Sequence, residues 1–69
     1  PEFLRDALGL TPMQARLTLA LADGRTIKDY AAERGRKVSS VRWHLHNILQ
    51  RTNCSSQLQL IRLVWLLDR

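Results

Sequence analysis

Apolar residues along this chain return at intervals of three and four, and no stretch alternates strictly between apolar and polar, which is the pattern of helices without strands. Between Thr11 and Asp23 the residues Met13, Leu17, Ala20 and Leu21 fall on one side of a helical wheel. Thr11 can accept hydrogen bonds from the free N–H groups of a helix start, Pro12 suits a first turn that needs no N–H, and Gln14 completes a capping box. Asp23-Gly24 supplies the stop, so the first helix is predicted from Pro12 to about Ala22. Thr26 opens a second, short helix with Asp29 as its acidic capping partner near the positive helix end. Ile27, Tyr30 and Ala31, with the aliphatic stem of Arg34, cover its inner side, and Gly35 offers the left-handed turn position.

The third predicted helix runs from about Val38 to Thr52. At about 100° per residue, Val38, Val41, Leu45, Ile48, Leu49 and Thr52 cluster on one side and form its core stripe. Trp43 falls about 170° from the centre of that stripe, among Ser39, His46, Asn47 and Gln50. The largest apolar side chain of this helix is therefore expected on its outward face. Asn53 is the expected left-handed terminator, and Ser55 or Ser56 caps a fourth helix reaching Leu67. That helix carries two apolar stripes, Leu58, Ile61 and Trp65 on one side and Leu60, Val64 and Leu67 on another. One small core cannot cover both, so the second stripe, Leu60, Val64 and Leu67, is assigned to a dimer contact with the same helix of a second copy.

The chain is 69 residues long, enough for one domain whose folding removes only about 60% of its unfolded surface from water. No apolar run approaches the roughly 20 residues of a membrane span. The single cysteine, Cys54, has no internal disulfide partner and reads as a small core residue, so the expected setting is cytoplasmic. Pro1-Glu2-Phe3 have the look of a cloning-site remnant, and Arg5 to Gly9 of an interdomain linker tail. Residues 1–9 are therefore set apart from a domain at residues 10–69.

The net charge is +5, and its distribution matters more than its size. No acidic residue occurs from Arg34 through Leu67, whereas Arg34, Arg36, Lys37, Arg42, Arg51 and Arg62 are basic. A region of one sign attracts phosphate chains. Two helices joined by a short glycine turn, the second with an outward basic and polar face, form the layout of a helix-turn-helix unit. The fold class expected is all-α, a four-helix bundle containing that unit.

From about Leu10 to Leu67 the chain resembles the LuxR-type (GerE-like) helix-turn-helix domain of bacterial transcription regulators. The resemblance is carried by LTPMQA at the first helix start, ADG before the second, IKDYAAERG, the SSVRWHLHNILQRTNCSS block and the final LQLIRLV. It implies a third helix lying in the DNA major groove and dimerisation through the fourth. Carried over position by position, it implies base contacts from Arg42, Trp43 and His46 and phosphate contacts from Lys28, Ser40 and Arg51. Thr26 and Lys37 join the phosphate set, Thr26 as the opening residue of the second helix and Lys37 as a cation at the start of the third. Arg42 can pair bidentately with guanine, and His46 can donate or accept one hydrogen bond. The chain departs from the family where Arg36 and Lys37 replace a hydrophobic residue and a serine cap, where Thr52-Asn53-Cys54 replaces leucine-glycine-valine, and at Tyr30, where isoleucine is common.

Metal binding and catalysis find no support. His44 and His46, two residues apart, point to different sides of a helix, and no serine, cysteine or histidine has a carboxylate arranged beside it. His44 borders the core stripe and is expected to be structural. No cofactor is expected, and the chain is not read as an enzyme. The leading expectation is a sequence-specific DNA-binding output domain of a bacterial transcription regulator, acting as a dimer on an inverted repeat, with a sensory or receiver domain as a further partner in the full-length protein. The alternative is a protein-interaction module that docks a partner or sensory domain through Trp43 and the fourth helix. A sigma-factor-like region is the nearest rival within DNA binding, and the second stripe of the fourth helix argues against it.

Overall fold

The computed structural model describes residues 6–67. Four helices follow one another, α1 at Pro12–Ala22, α2 at Ile27–Arg34, α3 at Val38–Thr52 and α4 at Gln57–Leu67. Residues 6–8 are also helical, and no strand occurs among the described residues. Pro1-Glu2-Phe3, read above as a cloning-site remnant, and Arg5 lie outside them. In the segment before the domain, Leu8 packs against the core, and Leu10, the first residue of the domain, is buried in it.

The helix starts follow from local side-chain chemistry. The Gln14 N–H donates to Thr11 Oγ1 at 3.2 Å while the Thr11 N–H donates to Gln14 Oε1 at 3.0 Å, a complete capping box. Thr26 and Asp29 repeat the arrangement at 3.0 and 3.4 Å. At α4 the Gln59 N–H donates to Ser56 Oγ at 3.2 Å, which makes Ser56 the cap, and Gln59 Oε1 accepts from the Ser55 N–H at 2.7 Å. The start of α3 differs: its cap is Lys37, whose side chain makes no capping hydrogen bond.

The helix ends share one device. After α2, Gly35 takes a left-handed conformation at φ 63°, and the Arg36 N–H reaches back to the Ala31 carbonyl at 2.8 Å. After α3, Asn53 adopts φ 57° and the Cys54 N–H reaches the Leu49 carbonyl at 2.9 Å. Each is a Schellman turn, which satisfies carbonyls that the helix itself leaves open and reverses the chain within a few residues. Asparagine tolerates this conformation better than most residues with a side chain, so Asn53 can hold the turn where a glycine would be usual.

The core is built from Leu10, Ala15, Leu17, Leu21, Tyr30, Ala31, Val41, Ile48, Leu60 and Val64. α1 packs against α2, α3 and α4, and α3 packs against both α2 and α4. Two of the four residues on the expected α1 stripe, Leu17 and Leu21, are buried, whereas Met13 and Ala20 are half-buried at its edges. Thr18 is fully enclosed, and its hydroxyl donates to the Gln14 carbonyl at 2.8 Å. Among the described residues no buried side-chain nitrogen or oxygen lacks a partner. On α2 the burial falls on Tyr30 and Ala31, while Arg34 is exposed with its guanidinium 5.3 Å from the centre of the Tyr30 ring. Arg34 thus caps the tyrosine with its charged head instead of lining the core with its stem.

The structure corrects the assignment of the α4 stripes. Leu60 is fully buried and Val64 nearly so, both against the chain's own core, and of the predicted dimer residues only Leu67 keeps substantial exposure. The outward face carries Leu58, Trp65 and Leu66 with Arg62 between them. A wheel identifies two apolar stripes but not which one the other helices will cover; packing decides that, burying Leu60 and Val64 and drawing Ile61 against the core while Leu58 and Trp65 stay exposed.

Candidate nucleic-acid interface

α3 is held from behind. Val41 and Ile48 are buried, and Val38, Leu45 and Leu49 are half-buried against the core. Helical geometry then fixes what faces away: Ser39, Trp43, His46 and Gln50 share the opposite side, with Arg42 and Ser40 on its two flanks, and all six are exposed. Trp43 is 62% exposed, on the side that its spacing predicts. Its ring meets that of His44 edge to face, with centroids 5.1 Å apart and planes at 69°. His44 itself is half-buried, in keeping with a structural role in which it props the indole.

The acids that precede α3 most closely in sequence are already engaged. Glu33 pairs with Arg25, and the Asp29 carboxylate accepts from the Thr26 N–H. Arg42 is exposed and makes no salt bridge among the described residues, so its planar donor fork stands on the surface. Lys28, Arg36 and Lys37 are likewise exposed. Because Lys37 makes no side-chain cap, the N–H groups of Val38, Ser39 and Ser40 have neither an intrahelical acceptor nor a capping oxygen. Lysine at the cap position leaves a helix start with open donors and an added positive charge, which suits an anion.

The expected phosphate contacts are not all equally placed. Ser40 and Lys37 are exposed at the start of α3, and Lys28 is exposed in the first turn of α2, as that role requires. The Thr26 hydroxyl accepts from Asp29, although its hydrogen can still be donated outward. Arg51 has a structural engagement that spacing does not reveal: its Nη1 donates to the Gly9 carbonyl at 2.6 Å, tying the end of α3 to the segment before α1. Its remaining guanidinium donors are on the surface side of an exposed residue. A hydrogen bond between residues so far apart in sequence leaves no periodic signal.

Cys54 is half-buried, with its Sγ 3.8 Å from the Thr52 carbonyl, and belongs to the periphery of the core. Among the described residues, no group of three or more His, Cys, Asp or Glu side chains is arranged to hold a metal ion, and no helix is long and apolar enough to cross a membrane. No protein-family model, no curated protein and no solved structure matches this chain.

Proposed function

We propose that this chain is a sequence-specific DNA-binding output domain of a bacterial transcription regulator of the LuxR type, with α3 lying in the major groove. The observation that carries this reading is the outward face of α3, where Arg42, Trp43 and His46 stand exposed within a run that has no acidic residue from Arg34 through Leu67. Arg42 recognises guanine through O6 and N7, and His46 adds a single hydrogen bond to a neighbouring base edge. Lys28, Lys37, Ser40 and the open N–H groups at the start of α3 hold phosphates and set the register, with Arg51 and Thr26 contributing at the ends of their helices.

A helix of 15 residues, about 22 Å long, can lie along a groove about 12 Å wide while the other helices stay behind it. Dimerisation on an inverted repeat uses the exposed face of α4, Leu58, Trp65 and Leu66, in place of the stripe of Leu60, Val64 and Leu67. Titration of labelled duplex carrying the regulator's promoter at low and at physiological salt tests the reading. Binding that is tight at low salt and falls steeply as salt rises is expected, and no binding at low salt rejects it.

The same α4 face favours a second reading, a module that docks a partner protein or an attached sensory domain. Trp65 at 63% exposure and Leu66 at 69% are large apolar side chains left in water, as anchors of protein interfaces are before they bind. DNA contact through α3 and docking through α4 use different faces of the chain, although dimerisation and docking would share α4. Substitutions at Trp65 that abolish partner capture while leaving DNA affinity per site intact would separate them.

A further inference from the structure

The outward face of α3 contains one side chain that ordinary backbone-phosphate recognition does not need. Phosphates are held by cations, hydroxyls and N–H groups, whereas the Trp43 indole is uncharged and has one donor. Guanine selection through O6 and N7 requires a two-donor fork, which Arg42 has and an indole lacks. What Trp43 does offer is a broad apolar plane, 62% exposed and braced edge to face by His44. Arg42 and His46, also exposed, already place polar recognition on the same face.

In the major groove the base edges present one apolar group, the 5-methyl of thymine. The minor-groove base edges present none, so among base edges a broad apolar plane has one complementary feature, the thymine methyl. We propose that Trp43 is the specificity-determining residue for a 5-methylpyrimidine, thymine in ordinary DNA, next to the base read by Arg42. This rests on the DNA-binding reading above and names the chemistry that the site selects. The indole packs its face on the methyl group, and His44 limits its rotation so that the contact does not require ordering a freely turning side chain.

The test begins with selection of bound duplexes from a random library by the 69-residue chain, followed by replacement of each thymine in the selected site by deoxyuridine, which removes only the methyl. At one position, uracil is expected to weaken binding about fourfold, the effect of withdrawing one buried methyl-sized group. Trp43→Ala should bind the thymine and uracil duplexes equally, whereas Trp43→Phe, which keeps an apolar ring and loses the N–H, should still discriminate. Circular dichroism of both variants checks that the helices persist.

Selected sites without a shared thymine, uracil replacement without effect at every position, or equal discrimination in Trp43→Ala each overturn the proposal while leaving DNA binding intact. Tighter binding to single strands than to duplex also overturns it, because the indole would then be stacking on an unpaired base. Absence of binding to any duplex at low salt overturns both this proposal and the reading on which it rests.

Discussion

Replacing Leu60 with alanine separates the two possible uses of α4. Leu60 is fully buried in the monomer, with the core formed by α1, α3 and α4 around it. Truncation removes three carbons from a site with no water contact, a transfer loss of about 2.4 kcal/mol at about 0.8 kcal/mol per methylene. The cavity left behind adds to this, because neighbouring helices relax only in part, and the total comes to about 3 kcal/mol. A chain of 69 residues has about 3–10 kcal/mol of stability at the usual per-residue range, so the variant loses a large share of it or all of it. Urea unfolding followed by far-ultraviolet circular dichroism, at two well-separated protein concentrations, reads the effect. The expected result is a midpoint that falls sharply and equally at both concentrations. A Leu60→Ala chain that keeps the wild-type midpoint when dilute, and loses only a concentration-dependent increment, would place Leu60 at a seam between copies and refute the packing described here.

The complementary substitution, Leu66→Gln on the exposed face of α4, is expected to change stability by less than about 0.5 kcal/mol and to weaken self-association in sedimentation velocity; a large loss of stability in the dilute monomer would contradict the exposure of that face. Gly35→Ala should cost about 1–2 kcal/mol in urea unfolding, since a Cβ there meets no neighbouring atom within 4 Å and the penalty comes from the left-handed backbone alone, while Gly35→Asn should cost less. Lys37→Ser should add about 0.5–1 kcal/mol to stability by supplying the missing cap, and lower the slope of log affinity against log salt by about 1; an unchanged slope would remove Lys37 from the phosphate contacts. Arg51→Met, which keeps much of the aliphatic stem and loses the bond to the Gly9 carbonyl, should lower stability by about 1 kcal/mol and increase amide exchange at Leu8 to Leu10; unchanged exchange would show that the Arg51 contact does not hold this segment.

The local features of the fold were legible because each depends on residues within a few positions of one another. Thr11 with Gln14, Thr26 with Asp29, and the left-handed residues Gly35 and Asn53 set helix ends through contacts spanning three to five residues, and the sequence alone suffices to see them. The outward placement of Trp43 was legible for a similar reason: the core stripe of α3 is well defined, and the opposite side follows from helical periodicity.

Three things were not legible. The choice between the α4 stripes depends on how α1 and α3 approach it, which no wheel contains, and so Leu60 and Val64 went to the wrong side. Arg34 was expected to lay its stem on the core, but the short α2 ends there and its guanidinium turns over Tyr30 instead. The bond from Arg51 to Gly9 joins the end of α3 to the segment before α1 through one side chain and one carbonyl, and neither partner stands out in the chain. Of the candidate site, the α3 residues share a face because one helix carries them. Lys28 and Thr26 belong to another element, α2 and its cap, whose position relative to α3 depends on the turn at Gly35 and on packing that no periodicity contains.

The central claim is that the acid-free outer face of α3 binds duplex DNA and reads its sequence. Its most direct measurement is fluorescence-anisotropy titration of the chain and of Arg42→Ala against a selected site and a scrambled duplex, each at low and at physiological salt. The account predicts that the wild-type chain prefers the selected site, that Arg42→Ala loses about 1–3 kcal/mol of that preference, and that residual binding of both remains salt-dependent. Equal affinity of the wild-type chain for selected and scrambled duplex, or an unaltered preference in Arg42→Ala, would contradict it.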